Sequence, residues 1–238
     1  SNTVIGTNDK IDLHRIDITA TGGSNNTRAF LELWGHSSFN NSGPLAGNTF
    51  VGGNNDISLD HVSIKASGGE FYNNYAFLNL YGDRNESFSS QIGGNDKIDI
   101  KHLSIESEGG YYNNEANVYI AGDYNVSNNN VEGGNDTIKI SNSSFTSKGG
   151  VYENYSSLRV VGDYNNFGNT VSGGDDKIDL KKLQVTTEGG SYYASSQLQV
   201  WGGSLDGYSN QMTGDNDKID IDDVSVRNRD AVVGSQNA

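Results

Sequence analysis

The sequence predicts an all-β fold, a single-stranded parallel β-helix or β-solenoid. Three observations carry that expectation. An apolar-x-apolar pair recurs from one end of the chain to the other. Nearly every step between pairs is about 20 residues. Runs rich in Gly and Asn separate the pairs, and the chain has a single proline.

The pairs are Ile11/Leu13, Leu31/Leu33, Ile57/Leu59, Leu78/Leu80, Ile98/Ile100, Val118/Ile120, Ile138/Ile140, Leu158/Val160, Ile178/Leu180, Leu198/Val200 and Ile219/Ile221. A period of two puts both members on one face of a strand, whereas a helix needs apolar residues three and four apart. A unit of this size cannot bury its own apolar face, so units must stack. Eleven pairs predict about eleven turns of roughly 20 residues, and a rod of roughly 50 Å at ~4.8 Å per turn. One longer step holds residues 40–47 and reads as an inserted loop. The solenoid domain is expected over 1–230, with a C-terminal tail at 231–238.

Two kinds of unit alternate. The first reads GGND-x-I-x-I, as at Gly93–Ile100, followed by a second apolar pair such as Leu103/Ile105 or Leu183/Val185 and then Gly-Gly. The second reads apolar-x-apolar-x-Gly-Asp, then an Asn/Ser-rich stretch, then one apolar residue before the next Gly-Gly. Those single residues are Val51, Ile92, Val131, Val171 and Met212. Glycine pairs mark corners, where positive φ or close backbone approach is needed.

Composition narrows the setting. The formal charge is −14, which repels nucleic acid and anionic lipid. No apolar run approaches the ~20 residues of a membrane span, so neither nucleic acid nor membrane insertion is expected. There is no cysteine, so no disulfide or thiolate framework forms.

The repeat resembles the parallel β-helix of bacterial secreted and surface proteins, such as autotransporter passengers and filamentous-haemagglutinin-like adhesins. That resemblance covers almost the whole chain and implies a secreted or cell-surface, bacterial-type protein. It also implies a right-handed winding and a structural or adhesive rod that contacts a glycan, a protein or its own copies. A self-assembling fibre subunit with head-to-tail stacking is an alternative, as is a segment of a longer rod. Parallel β-helices also include polysaccharide-modifying enzymes. An active site should stand out as a local departure from the repeat, and the main departure, 40–47, has no ionisable residue.

The run Gly134-Asn135-Asp136-Thr137-Ile138 also partly resembles the RTX calcium repeat, which makes a Ca2+-stabilised module a further alternative. Its candidate ligands are Asp96, Asp136 and Asp176 in the GGND motif and Asp83, Asp123 and Asp163 in the Gly-Asp motif. With turns of 20 residues, equivalent carboxylates stand on alternate turns, roughly 9–10 Å apart. That is too far to share an ion at ~2.4 Å. The plainer expectation is that these residues accept backbone N–H groups in their turns.

Aromatic residues recur at equivalent positions and should form stripes. One stripe is Tyr72, Tyr112, Tyr152 and Tyr192, a second is Tyr124 and Tyr164, and a third holds Trp34, Tyr81 and Trp201. Such columns stabilise a ladder or offer a binding face. His61 and His102 are repeat-equivalent, while His14 and His36 break the pattern. Asn-x-Ser/Thr sequons, among them Asn25, Asn40, Asn85, Asn125, Asn142 and Asn154, are about as frequent as composition alone produces.

Overall fold

The computed structural model describes residues 3–22, 26–39, 49–68, 73–86, 90–126, 130–166, 170–189, 192–206, 211–213, 216–229 and 235–237. The predicted loop at 40–47, Tyr72 and most of the 231–238 tail lie outside them. Among the described residues there is no helix, and so none long and apolar enough to cross a membrane.

The strands follow one another coil by coil. The first coil is β1 (Thr3–Ile5), β2 (Lys10–Gly22) and β3 (Thr27–Phe39). The second is β4 (Thr49–Val51), β5 (Asp56–Gly68) and β6 (Asn74–Glu86). The third is β7 (Ser90–Ile92), β8 (Lys97–Lys101), β9 (Ser104–Glu108) and β10 (Asn113–Val126). The fourth is β11 (Asn130–Glu132), β12 (Thr137–Lys148) and β13 (Glu153–Asn166). The fifth is β14 (Thr170–Ser172), β15 (Lys177–Glu188) and β16 (Tyr193–Asp206). The last is β17 (Gln211–Thr213), β18 (Lys218–Arg229) and β19 (Ser235–Asn237).

Three parallel sheets result. Sheet I runs β1-β4-β7-β11-β14-β17, sheet II runs β2-β5-β8-β12-β15-β18 with β9 between β5 and β12, and sheet III runs β3-β6-β10-β13-β16-β19. Four interior coils are thus paired on both sides, between a terminal coil at each end.

This corrects the expected count of eleven turns. Ile138 pairs with Ile98 and Ile178, and Val118 with Leu78 and Leu158. The repeat of the backbone is therefore about 40 residues. The two kinds of unit are different sides of one coil, not successive turns. Five steps of about 4.8 Å give a stack of about 24 Å, half the expected length.

The core lies where sheets II and III face each other. Ile57, Leu59, Val62, Ile64 and Ala66 from β5 meet Ala76, Leu78 and Leu80 from β6, and all are almost wholly buried. The same columns continue through Ile98, Ile100, Leu103 and Ile105 to Ile178, Leu180, Leu183 and Val185. Within sheet II the two apolar pairs are three residues apart, as in Leu59 to Val62, which is out of phase for a flat strand. A left-handed residue between them restores the phase. Arg15, His61, His102, Asn142, Lys182 and Asp223 all occupy this place, with φ between 50 and 55°. Sheet I contributes one inward column, which holds the expected Val131 but departs from expectation in the second and third coils. Phe50 pairs with Gln91 and Gln91 with Val131. Phe50 and Gln91 are buried, while Ile92 is 38% exposed. Val51 and Ile92 therefore sit one residue out of the inward register.

Candidate functional site

Polar side chains fill the corners between sheets. At the corner between sheets II and III, Asn74 donates to Asn114 (3.0 Å) and Asn114 to Asn154 (2.9 Å). At the corner between sheets III and I, Asn125 donates to Asn165 (2.9 Å) and Gln91 to Asn125. Strand pairing leaves corner N–H and C=O groups without ladder partners, and a stacked amide column supplies them. The sequon asparagines Asn85, Asn125 and Asn154 are buried in these columns, whereas Asn142 is exposed.

The GGND corner joins sheets I and II, and each junction between coils is bonded twice there. The Asn of the motif accepts from the following coil: Asn95 N donates to Asn54 Oδ1 (2.8 Å), and Asn135 N to Asn95 Oδ1 (2.7 Å). The Asp accepts in the opposite sense: Asp96 N donates to Asp136 Oδ1 (2.7 Å), and Asp136 N to Asp176 Oδ1 (2.8 Å). The expected backbone acceptor role is present, but the donors belong to the neighbouring coil and not to the same turn. The carboxylates are also not 9–10 Å apart. They stand on adjacent rungs, because one coil contains both kinds of unit.

The Gly-Asp motif locks into the same corner. Gly134 N donates to Asp123 Oδ2 and Gly174 N to Asp163 Oδ2, both at 2.9 Å, and Gly94 N donates to Asp83 Oδ2 at 3.2 Å. A Cβ on Gly93 would overlap the Asp123 carboxylate, and one on Gly122 the Asp136 carboxylate. Glycine is required at both places to admit the acids.

All six candidate ligands, Asp83, Asp96, Asp123, Asp136, Asp163 and Asp176, are therefore brought to one buried column. Burial pushes Asp83 up to about 6 and Asp96 up to about 8, against hydrogen bonds that pull the other way. Burial, with neighbouring carboxylates adding to it, holds Asp123 and Asp136 well above the ordinary carboxylate range. Removing an anion from water costs far more than its hydrogen bonds return unless a positive group or a proton joins it.

The four histidines separate into two groups. His14, His61 and His102 each place Nδ1 within 2.8–3.1 Å of the Asp60 carboxylate. His61 and His102 stack at 4.3 Å. The bond from His102, with a second from His61 and the charges of His61 and His14, holds Asp60 down at about 2 against the opposing effect of desolvation. His36 instead stacks on Phe50.

The aromatic stripes do form. Tyr124 stacks on Tyr164 at 4.9 Å, but these rings do not stand apart from the third column. The strand bends at Gly82, Gly122 and Gly162, so both columns meet in one elbow on the outer face of sheet III. Tyr81, Ala121, Val161 and Tyr164 are buried in it, with Tyr119, Tyr124 and Trp201 packed against them. Arg159 lies over Tyr119 (5.0 Å), Tyr164 (5.2 Å) and Trp201 (5.1 Å), and Arg84 lies over Tyr81 and Trp34. The elbow's rings are spent largely on one another and on two arginines.

The Tyr112 stripe stays at the surface. Tyr112 stacks on Tyr152 at 5.2 Å and Tyr152 on Tyr192 at 4.9 Å, and Tyr111 packs edge-on against Tyr112 and Tyr152. Tyr112 is 45% and Tyr192 57% exposed. Stacking covers most ring faces, so the stripe presents ring edges and hydroxyls, with Tyr192 exposing an outer face. Directly beside it is a recess of about 280 Å³ lined by Asn113, Asn114, Glu115, Glu153, Tyr155 and Tyr193. Burial raises the Glu115 carboxyl above its ordinary range. The sequence located the stripe, but the recess formed by the next strand positions was missed. Its signal was the polar and aromatic residues following each tyrosine. Comparison with protein-family models, curated proteins and solved structures returns no match, so the geometry of these surfaces is what bears on function.

Proposed function

We propose that the protein is an extracellular structural and adhesive β-solenoid that binds an extended glycan along the Tyr112–Tyr152–Tyr192 corner. The supporting observation is a surface row of tyrosines at 4.9–5.2 Å spacing, exposed at Tyr112 and Tyr192 and half-buried at Tyr152, beside a recess with two carboxylates and two amides. Aromatic edges and a ring face pack against the apolar faces of sugars, while amides and carboxylates pair with hydroxyls. The regular spacing of the row suits a polymer that repeats along the solenoid axis better than a compact ligand. The surrounding solenoid supports the rings rigidly, because each sits on a strand-terminal corner repeated in register. A right-handed winding is assigned by the general preference of parallel crossovers.

The test is a glycan-array and titration comparison of the wild-type chain with the Tyr112→Ala/Tyr152→Ala/Tyr192→Ala variant. Three rings at about 0.5–1.5 kcal/mol each exceed the 1.4 kcal/mol of one decade. Affinity for the selected glycan is therefore expected to fall at least about tenfold, with the circular dichroism spectrum unchanged. Equal binding by both proteins would reject this corner as the site, and a silent array would reject the glycan reading.

A further inference from the structure

The six coils differ in one informative way at the buried acidic column. The motif residue at the GGND corner is Asp9, Asn55, Asp96, Asp136, Asp176 and Asp217 in turn. The residue at the Gly-Asp position is His36, Asp83, Asp123, Asp163 and Gly203 in the first five coils, in register across sheet III. Two carboxylates therefore meet within one coil only in the third and fourth coils, as Asp96 with Asp123 and Asp136 with Asp163. Elsewhere one partner is an amide, a glycine or a histidine.

The second coil reveals what that place demands. Four oxygens surround Asn55 Nδ2 and share its two hydrogens: Asp83 Oδ1 (2.9 Å), Asp96 Oδ1 (2.9 Å), Gly53 O (3.2 Å) and Gly82 O (3.3 Å). Two carboxylate and two carbonyl oxygens thus converge on one group of positive character. In the third and fourth coils the residue in register with Asn55 is an aspartate, whose oxygen replaces that nitrogen. The convergent oxygens remain and the donor is gone. Asp96 Oδ2, Asp123 Oδ1 and Asp136 Oδ2 accordingly have no hydrogen-bond partner, in side chains that are at least 98% buried. The other oxygen of each is fixed by a backbone N–H: Asp96 by Asn55, Asp123 by Gly134 and Asp136 by Asp96.

We propose that each of the two buried carboxylate pairs, Asp96/Asp123 and Asp136/Asp163, encloses one divalent cation of the calcium class. The distances allow it. Asp83, Asp96 and Asp123 offer oxygens within 4.8 Å of one another, as do Asp123, Asp136 and Asp163. The centre of an oxygen triangle of that size is about 2.8 Å from each vertex, and any shorter side brings it toward the ~2.3–2.6 Å of calcium. The donor set is entirely oxygen, with carboxylates joined by corner carbonyls, which selects a hard cation. Calcium accepts such a dry, irregular, all-protein cage, whereas magnesium retains several waters. A single proton would neutralise one charge of each pair, while a divalent ion neutralises both.

The experiment uses the full chain, freed of metal with a chelator and then titrated calorimetrically with CaCl2 at neutral pH. The wild type is expected to take up two calcium ions, and its Tm to rise about 10–20 °C at calcium a hundredfold above Kd. Asp136→Asn should take up one ion. Asp96→Asn/Asp136→Asn, which copies the arrangement the chain already tolerates at Asn55, should take up none and melt identically in calcium and chelator. If the double variant does not fold, the step from two ions to one in Asp136→Asn decides. A wild type that binds no calcium and melts alike in calcium and chelator would overturn the proposal. So would variants that bind as much as the wild type, since the ions would then sit on surface acids.

Discussion

Gly122 shows how closely single residues are matched in this fold. It precedes Asp123, and its missing side chain leaves room for the Asp136 carboxylate. A methyl group there would overlap that carboxylate, which is itself held by Asp96 N. Gly122→Ala is expected to destabilise the protein by about 1–3 kcal/mol, as overpacking does, seen as a lower urea midpoint at unchanged m. An unchanged midpoint would show that the carboxylate can move aside. The sequence displayed both Gly122 and Asp136 as repeat-conforming residues, but they lie 14 positions apart and nothing local couples them. The contact exists because one coil closes on itself between those two positions. Val51 and Ile92 depart from expectation for a different reason: the strands of sheet I have three residues each, too few for alternation to reveal the inward one.

At the scale of the element, the strands of sheet II carry most of the apolar load. β12 buries Ile138, Ile140, Ser143 and Phe145, with Asn142 left-handed between the two pairs. Phe145 fills a column that holds Ile105 and Val185 on either side. Phe145→Ala removes a fully buried ring between two rungs and is expected to cost about 3–5 kcal/mol, measured by chemical denaturation. A cost below 1 kcal/mol would mean that the neighbouring rungs collapse into the space. The bulge was readable in principle. Two apolar pairs three residues apart cannot share the face of a flat strand, so a phase correction between them is a steric necessity. Alternation within each pair was read correctly, and the break between pairs carried the missed information.

For the whole molecule, the acidic column links stability to pH. In the unfolded chain an aspartate titrates near ~3.9, whereas burial holds Asp83 at about 6 and Asp96 at about 8. The folded state therefore binds more protons than the unfolded state between those values, and stability falls as pH rises. In the presence of chelator, the contribution of these groups is complete below about pH 4 and is lost as pH passes through about 6 and about 8. Tm measured in chelator should decline across that interval. A flat or rising profile would mean that the column is more hydrated than its burial implies. Asp60 behaves oppositely and contributes little to this window, since its histidine partners keep it ionised down to about 2.

The sequence by itself determined that the chain is a stacked parallel β-structure, which aliphatic pairs line the core between its two long sheets, and where tyrosines and acids recur in columns. Those features are local: a period of two and a repeat that conserves residue type at each position are visible without knowing what lies opposite. Only the tertiary structure decided how many units make one coil, and with it every distance along the axis. A 20-residue apolar repeat is compatible with one unit per coil or two, because identical faces satisfy the core either way. The choice follows from corner geometry, where the GGND and Gly-Asp motifs close one coil together. That closure brings the aspartates onto adjacent rungs and turns an apparently dispersed set of acids into a single buried column.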